Sequence, residues 1–257
     1  MLNIENALIY HIYPLGACGA PRKNTREEPR PRIGMIKDWI PHLKEMNITA
    51  VYFGPVFESE EHGYDTTDYR IIDSRLGTNK DFADVCAALH ENGIAVILDG
   101  VFNHTGRSFF AFRDIIANGQ NSQYCNWYAN LGFDFGSPCG DAFHYEGWNG
   151  HYNLCKLNLR CNEVCEYIES AIELWIKEFD IDGIRFDAAE CMDHDFFRRI
   201  RRFCKSRKSD FWLMGEIVGG DYNRLANPEM LDSVTNYECY KGLYSSHNDM
   251  NYFEIEI

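Results

Sequence analysis

The chain has 257 residues, of which 45% are hydrophobic and 14% aromatic, so it can bury one sizeable core. Disordered and fibrous classes are excluded by this composition. With 25 basic and 39 acidic residues the formal net charge is −14, which argues against nucleic acid and anionic membrane surfaces as partners.

The chain carries no signal for export or for membrane insertion. No apolar run approaches the roughly 18 residues that a spanning helix needs, and Met1 to Glu5 lack the basic-then-apolar order of a secretory signal. The ten cysteines occur without C-x-x-C spacing, which indicates mostly buried thiols in a reducing compartment. The sequence therefore predicts a soluble, cytoplasmic protein.

The first part of the chain alternates apolar runs with segments of helical periodicity. The first strand is predicted to stop at Pro14, and the helix after it is expected to kink or break at Pro41. Gly93 is expected to end the second helix as its C′ residue. In chain order the elements are a strand over 7–13, a helix over 35–47, a strand over 50–57, a polar loop, a helix over 80–92 and an apolar strand over 94–98.

The alternation of strands and helices is interrupted in the middle of the chain. Residues 105–160 are rich in Gly, Asn, Tyr, Trp and Phe without a convincing long helix, which indicates an inserted subdomain. The alternation then resumes with a helix over 163–179, a strand over 183–186, a helix over 195–207, a strand over 211–214 and a sixth strand over 233–237.

Strands that alternate with helices imply a parallel sheet with helices outside it, and the near absence of a G-x-G-x-x-G turn argues against a nucleotide-binding sheet. We therefore predict an α/β fold, a (β/α)8-type TIM barrel that is incomplete, because only about six of the eight βα units are found. The predicted parts are barrel strands 1–3 in residues 1–104, the insertion in residues 105–160, and strands 4–6 in residues 161–257.

Acidic residues follow three successive predicted strands, at Asp99, Asp187 and Glu216. Because the C-terminal ends of barrel strands meet at one mouth, these carboxylates are expected to converge. A glycosidase needs such a pair, one carboxylate to attack the anomeric carbon and one to donate a proton to the leaving oxygen. Arg185 is expected to hold Asp187 ionised. The Trp and Tyr side chains of residues 124–152 offer flat faces for stacking on sugar rings.

Five segments carry a more specific pattern. They are His62-Gly63-Tyr64-Asp65, Asp99-Gly100-Val101-Phe102-Asn103-His104, Leu154-Cys155-Lys156-Leu157-Asn158, Gly183-Ile184-Arg185-Phe186-Asp187 and Gly215-Glu216-Ile217. In order and spacing they resemble the signature segments of the α-amylase family, glycoside hydrolase family 13, over nearly the whole chain. The resemblance implies a retaining mechanism and identifies the insertion as the family's domain B.

The resemblance also implies residue roles, position by position. Asp187 would be the nucleophile and Glu216 the general acid/base. The substrate-binding residues would be Tyr64 stacking beneath the sugar, His104 and Arg185 at the cleavage subsite, and Asp99 supporting the site.

Two expected features of the family are missing from the pattern. In the family a fourth segment, a His-Asp pair after the seventh strand, supplies a third catalytic carboxylate. Residues 245–249 contain His-Asn-Asp instead and follow no apolar strand, so we do not take them as this segment. The third carboxylate is therefore lacking from the pattern. Asn103 matches a calcium-ligand position, but Lys156 and Cys191 stand where an aspartate and a histidine are common. An ammonium group is unfavourable in a calcium shell, so no metal and no cofactor is expected.

The function predicted is a retaining glycoside hydrolase or transglycosidase acting on α-glucosidic bonds of maltodextrin-like oligosaccharides. The alternative is a non-catalytic carbohydrate-binding relic of the same family. Metal-assisted isomerisation in a similar barrel is disfavoured, since no His/Asp/Glu metal cluster stands out. Because six βα units leave the first and sixth strands as open edges, we also expect self-association of the chain.

Overall fold

The computed structural model of the protein describes residues 6–255. The strands are β1 (Ile9–Ile12), β2 (Ala50–Phe53), β3 (Phe57–Ser59), β4 (Thr66–Ile72), β5 (Ala95–Gly100), β6 (His104–Gly106), β7 (Gly147–Trp148), β8 (His151–Lys156), β9 (Gly183–Phe186), β10 (Trp212–Gly215) and β11 (Ser233–Val234). The α-helices are α1 (Pro14–Ala17), α2 (Ile40–Glu45), α3 (Asn79–Glu91), α4 (Phe110–Asn118), α5 (Asn162–Phe179), α6 (His194–Arg207) and α7 (Tyr237–Asn248).

A six-stranded parallel sheet forms the frame of the molecule. Its order is β1-β2-β5-β9-β10-β11, so successive barrel strands lie side by side as the predicted alternation requires. Within residues 6–255, β1 pairs only with β2 and β11 only with β10, so this part of the chain forms an open barrel wall. All six predicted strands are present, although the sixth is only two residues long.

The helices that cover the sheet begin and end at clear sequence signals. Thr78 and Asp81 form a capping box at the start of α3. Gly93, predicted to end this helix, has φ +74°, a left-handed conformation that suits glycine at the C′ position. The expected break at Pro41 is also found, because a 3-10 helix over Arg32–Trp39 precedes α2, and Pro41 lies in the first turn of α2, where its missing N–H leaves no bond unmade.

Two regions have more structure than the sequence pattern predicts. The polar loop after β2 contains the antiparallel hairpin β3–β4. The turn of this hairpin is built on Asp65, whose carboxylate accepts hydrogen bonds from the backbone N–H groups of Glu61, His62 and Gly63. The predicted insertion contains α4 and the antiparallel sheet β6-β8-β7. The division of the chain at residues 104 and 160 stays a prediction.

One continuous core lies between the sheet and its helices. Trp175 of α5 is fully buried, and its ring stacks on those of Phe57 and Phe102 at 4.3 and 5.5 Å between centroids. Within the described residues, no helix is long and apolar enough to cross a membrane.

The prediction of mostly buried cysteines is wrong for half of them. All ten cysteines lie within residues 6–255 as free thiols, and five of them are buried. The other five lie in loops, at helix ends and on α7, where the apolar pattern does not extend. The exposed ones are Cys139, Cys191 and Cys239.

Candidate active site

One guanidinium group joins the carboxylates at the ends of three neighbouring strands. Arg185 lies on β9, and the parallel register places it directly beside Asp99 of β5. Its Nη1 lies 2.8 Å from Asp99 Oδ1 and 3.0 Å from Asp187 Oδ1, and its Nη2 lies 2.7 Å from Glu216 Oε1. The three carboxylates singled out from the sequence therefore meet at one edge of the sheet around a single positive charge.

Glu216 is held from two further directions. Its Oε2 accepts a hydrogen bond of 3.0 Å from the backbone N–H of Ala188, and its Oε1 accepts one of 3.0 Å from the Tyr237 hydroxyl. Ala188 has φ 49° and ψ 42°, a left-handed conformation that is strained for a residue with a Cβ. The strained backbone directs the N–H that follows Asp187 towards the second carboxylate.

Burial dominates the titration of Asp187. Its side chain is 11% exposed, and burial raises its pKa to about 7, with Asp99 and Glu216 acting in the same direction and Arg185 opposing them. Asp99 is fully buried, and its pKa is raised by burial against the pull of Arg185. Arg185 lowers the pKa of Asp187, in the expected direction, but desolvation raises this pKa by more.

His104 is a neutral imidazole in this site. Its Nε2 lies 3.0 Å from the carbonyl oxygen of Tyr64, which can only accept, and its Nδ1 faces the side-chain amide of Asn103 at 3.2 Å. Burial lowers the pKa of His104 to about 4, so the ring stays uncharged at neutral pH with its proton on Nε2. His104 and Tyr64 are thereby coupled through one hydrogen bond.

A cavity of about 630 Å³ opens above the carboxylates. Five of the six predicted site residues line it, whereas Asp99 lies beneath its floor and reaches it only through Arg185. The hairpin β7–β8 forms one wall, with the ring of Trp148 5.8 Å from that of His104 between centroids. The predicted residues in the lining are Tyr64, His104, Arg185, Asp187 and Glu216. This volume fits a sugar-sized ligand with carboxylates on one side and aromatic faces on the other.

Three residues that contact the site were not identified from the sequence. The Tyr52 hydroxyl donates a 2.7 Å hydrogen bond to Asp99 Oδ2, and the ring of His11 stacks on Tyr52 at 4.3 Å. Tyr52 lies on β2 in register with Ile97 of β5, and His11 lies on β1 in register with Tyr52, so the alternation of side chains along these strands could have identified them. Tyr237 is predicted as the last residue of the sixth strand, but that strand ends at Val234, and Tyr237 reaches Glu216 from the start of helix α7.

The residues at the family's calcium position do not fit that ion. The Lys156 ammonium group forms an ion pair with Glu146, so this carboxylate is already neutralised. Two further carboxylates line the cavity beside Lys156, those of Asp193 and Asp195, and each of them pairs with an arginine. Asn103 Oδ1 is buried without a hydrogen-bond partner, but Cys191 adds only a soft thiol to this cavity. No group of three or more His, Cys, Asp or Glu side chains within residues 6–255 is placed to hold a metal ion. The expected absence of calcium stays a prediction.

The His-Asn-Asp segment that resembles the fourth signature lies on α7 and at its end. Ser245 and Ser246 are buried in this helix, and Asp249 is its C-cap. The segment therefore forms the end of a helix and does not follow a strand.

Comparisons with known proteins agree with the geometry. A family model described as the alpha-amylase catalytic domain matches residues 33–255. A cyclomaltodextrinase of Thermoanaerobacter pseudethanolicus is 35% identical over 250 residues, which is 91% of this chain and 43% of that protein. Neopullulanase 2 of Thermoactinomyces vulgaris is 35% identical, over 91% of this chain and 42% of its own length. The chain thus spans less than half the length of these relatives.

Solved structures show the same fold. The cyclic alpha-maltosyl-(1→6)-maltose hydrolase of Arthrobacter globiformis superimposes with a TM-score of 0.83 at 27% identity, over 95% of this chain and 58% of that one. A debranching enzyme from Nostoc punctiforme superimposes with a TM-score of 0.78 at 33% identity, over 91% of this chain and 52% of its own. The predicted fold class, an incomplete TIM barrel of the alpha-amylase type, is confirmed.

Proposed function

Because the chain belongs to the alpha-amylase family, we propose that it carries the catalytic centre of a retaining glycosidase or transglycosidase for α-glucosidic bonds in maltodextrin-like oligosaccharides. One observation carries the proposal: Arg185 joins the buried Asp99 to Asp187 and Glu216, which line a single cavity. Paired carboxylates beside a sugar-sized space are what glycosidic cleavage requires. The names of the relatives, which include cyclomaltodextrinase and neopullulanase, support an α-glucan as the substrate.

In the proposed reaction Asp187 attacks the anomeric carbon, and Glu216 gives its proton to the departing glycosidic oxygen. This step forms an ester between Asp187 and the sugar and breaks the bond to the leaving sugar. Glu216, now ionised, then takes a proton from water or from the hydroxyl of a second sugar, whose oxygen displaces Asp187. The choice between water and sugar separates hydrolysis from transfer.

The remaining site residues have supporting roles in this proposal. Neutral His104 offers its Nε2 proton to a sugar hydroxyl once the Tyr64 carbonyl releases it, and the Tyr64 ring supplies an apolar face beneath the sugar. Arg185 draws Asp187 towards the ionised form that attacks, and Asp99 holds the guanidinium in place.

The alternative function is a carbohydrate-binding chain without turnover. It is favoured by the raised pKa of Asp187, about 7, and by the helical position of the His247-Asn248-Asp249 segment, which does not line the cavity. The third carboxylate in the lining is that of Glu190, which belongs to none of the signature segments. Both functions use the same cavity and the same sugar.

The two functions are separated by measuring reducing-sugar release and sugar binding on the 257-residue chain. We expect maltotriose to bind, as followed by calorimetry, and release from maltohexaose to be lost in both Asp187→Asn and Glu216→Gln. Arg70→Lys is the matched control, since Arg70 contacts Ser170 and Tyr167 on the surface. Binding without release in the wild type selects the alternative. Undiminished release in either carboxylate variant overturns the catalytic assignment.

Three further expectations accompany the proposed function. The intracellular maltogenic amylase of Bacillus subtilis, 33% identical over 183 residues, supports a cytoplasmic location for this chain. The net charge of −14 supports a function without nucleic acid or membrane partners. The unpaired edges of β1 and β11 within the described residues favour self-association of the 257-residue chain, which light scattering tests.

A further inference from the structure

A second buried arginine lies outside the carboxylate site, in the segment that follows β4. Arg75 is 4% exposed, and its charge is paired with Asp73, whose two carboxylate oxygens accept from Nε at 2.8 Å and from Nη2 at 2.7 Å. This is a bidentate pair, the geometry that a guanidinium forms and an ammonium does not. The pairing leaves the outer Nη1 of the guanidinium free to bind other groups.

Arg75 uses that nitrogen to hold backbone carbonyls from two separate loops. Its Nη1 donates to the carbonyl oxygens of Pro21 at 3.1 Å, Arg22 at 2.8 Å and Glu61 at 2.6 Å. Its Nη2 also donates to Ser59 Oγ at 2.8 Å. One charged group thereby connects the segment after α1 with the turn of the β3–β4 hairpin.

The hairpin turn is the segment that carries Tyr64 into the cavity. Its N–H groups at 61, 62 and 63 bind the buried Asp65 carboxylate, at 2.8, 3.2 and 3.2 Å. Its carbonyl groups face the other way: that of Glu61 binds Arg75, that of His62 accepts from the Tyr13 hydroxyl, and that of Tyr64 accepts from His104. The turn is thus fixed from both sides, and Arg75 supplies the charged contact.

We propose that Arg75 is a positioning residue for sugar binding, which holds the 61–65 turn through the Glu61 carbonyl and so keeps the Tyr64 ring in the cavity above the carboxylates. The role of the sugar in this inference rests on the proposed function, whereas the role in the turn rests on the hydrogen bonds alone. A lysine cannot replace Arg75, because one ammonium group cannot bind both oxygens of Asp73 and three carbonyls at their present positions.

The first test measures amide hydrogen exchange in the 257-residue chain. In Arg75→Lys we expect the N–H groups of Glu61, His62 and Gly63 to exchange about tenfold faster or more, since their turn loses a charge-assisted contact. Arg70→Lys, the matched change on the exposed side of β4, leaves them unchanged. Equal protection in Arg75→Lys and the wild type overturns the proposal, whatever the protein does to sugars.

The second test is a double-mutant cycle on maltotriose affinity, with Arg75→Lys and Tyr64→Ala alone and together. If Arg75 acts through Tyr64, its substitution weakens binding about tenfold in the wild type and has little effect in the Tyr64→Ala background. Additive losses show that Arg75 acts elsewhere and overturn the proposal. Absence of binding in the wild type contradicts the proposed function instead, and the exchange result then decides alone. Ser59→Ala, which removes one contact, repeats both measurements if Arg75→Lys does not fold.

Discussion

The hydroxyl of Tyr237 donates to the same oxygen of Glu216 that Arg185 binds, at 3.0 and 2.7 Å respectively. The candidate proton donor is therefore fixed by one residue from inside the sheet and one from the helix that follows it. Tyr237 stands at the first position of α7, where the Asn236 side chain caps the helix. The orientation of Glu216 thus depends on helix α7, which lies outside the signature segments.

Tyr237→Phe tests this contact. Removing the hydrogen bond that orients Glu216 should reduce the rate of maltohexaose cleavage about tenfold or more, with the melting temperature almost unchanged because the side chain is 39% exposed. Tyr240→Phe, on the same helix and more exposed, is the control and should leave the rate unaltered. Equal rates in the two variants would show that the Tyr237 hydroxyl is dispensable.

Asp187→Asn should change the pH dependence of stability. The pKa of Asp187 is raised from 3.8 to about 7 in the folded protein, so ionising it costs folding free energy as pH rises between these values. The asparagine variant does not pay this cost, and its stability relative to the wild type should increase from pH 4 to pH 8 by at most about 4 kcal/mol, at 1.4 kcal/mol per pKa unit. Urea unfolding at both pH values measures the difference, and a constant difference contradicts the burial argument.

Arg185→Gln should be strongly destabilising. The variant leaves the fully buried Asp99 without its cationic partner, and breaking a buried pair in this way costs about 3–5 kcal/mol. The double variant Arg185→Gln with Asp99→Asn should recover part of the loss, since the most deeply buried of the three carboxylates is then neutral. Chemical unfolding of both variants checks this, and equal instability of the two would place the cost in packing rather than in charge.

A chelator should leave the melting temperature within about a degree, because a metal that is not bound cannot stabilise the folded state. The Lys156–Glu146 ion pair occupies the position where a calcium ion would need oxygen ligands. Differential scanning fluorimetry with and without EGTA makes the measurement. A fall of several degrees that added calcium reverses would show that Asn103 and Glu146 bind the ion despite the ammonium group.

The sequence was sufficient to predict the features that depend on the chain's periodicity. Apolar runs indicate the six strands, and the rule that barrel strands end at one mouth places Asp99, Asp187 and Glu216 together, as the structure has them. Site contacts made across long sequence separations were not predictable in this way. Tyr52 reaches Asp99 across 47 positions, and Arg75 reaches Pro21 across 54.

The β3–β4 hairpin and the pKa of Asp187 are not predicted by the sequence pattern, for a common physical reason. The sequence pattern predicts a loop where the β3–β4 hairpin forms, because the turn of this hairpin is stabilised by the Asp65 side chain rather than by an Asn-Gly or similar dipeptide. The adjacent Arg185 alone predicts a low pKa for Asp187, whereas burial has the larger effect and raises it. In both cases the outcome depends on contacts or burial that arise only when the chain folds.

The left-handed backbone at Ala188 limits how far this protein can be stabilised without cost. Glycine at this position would relieve roughly 1–2 kcal/mol of steric strain, so Ala188→Gly is expected to raise the melting temperature. The same change would loosen the N–H that holds Glu216 Oε2, because glycine visits many more conformations. A screen for thermostability alone would therefore select against a precisely oriented proton donor, and engineering of this site must trade one property for the other.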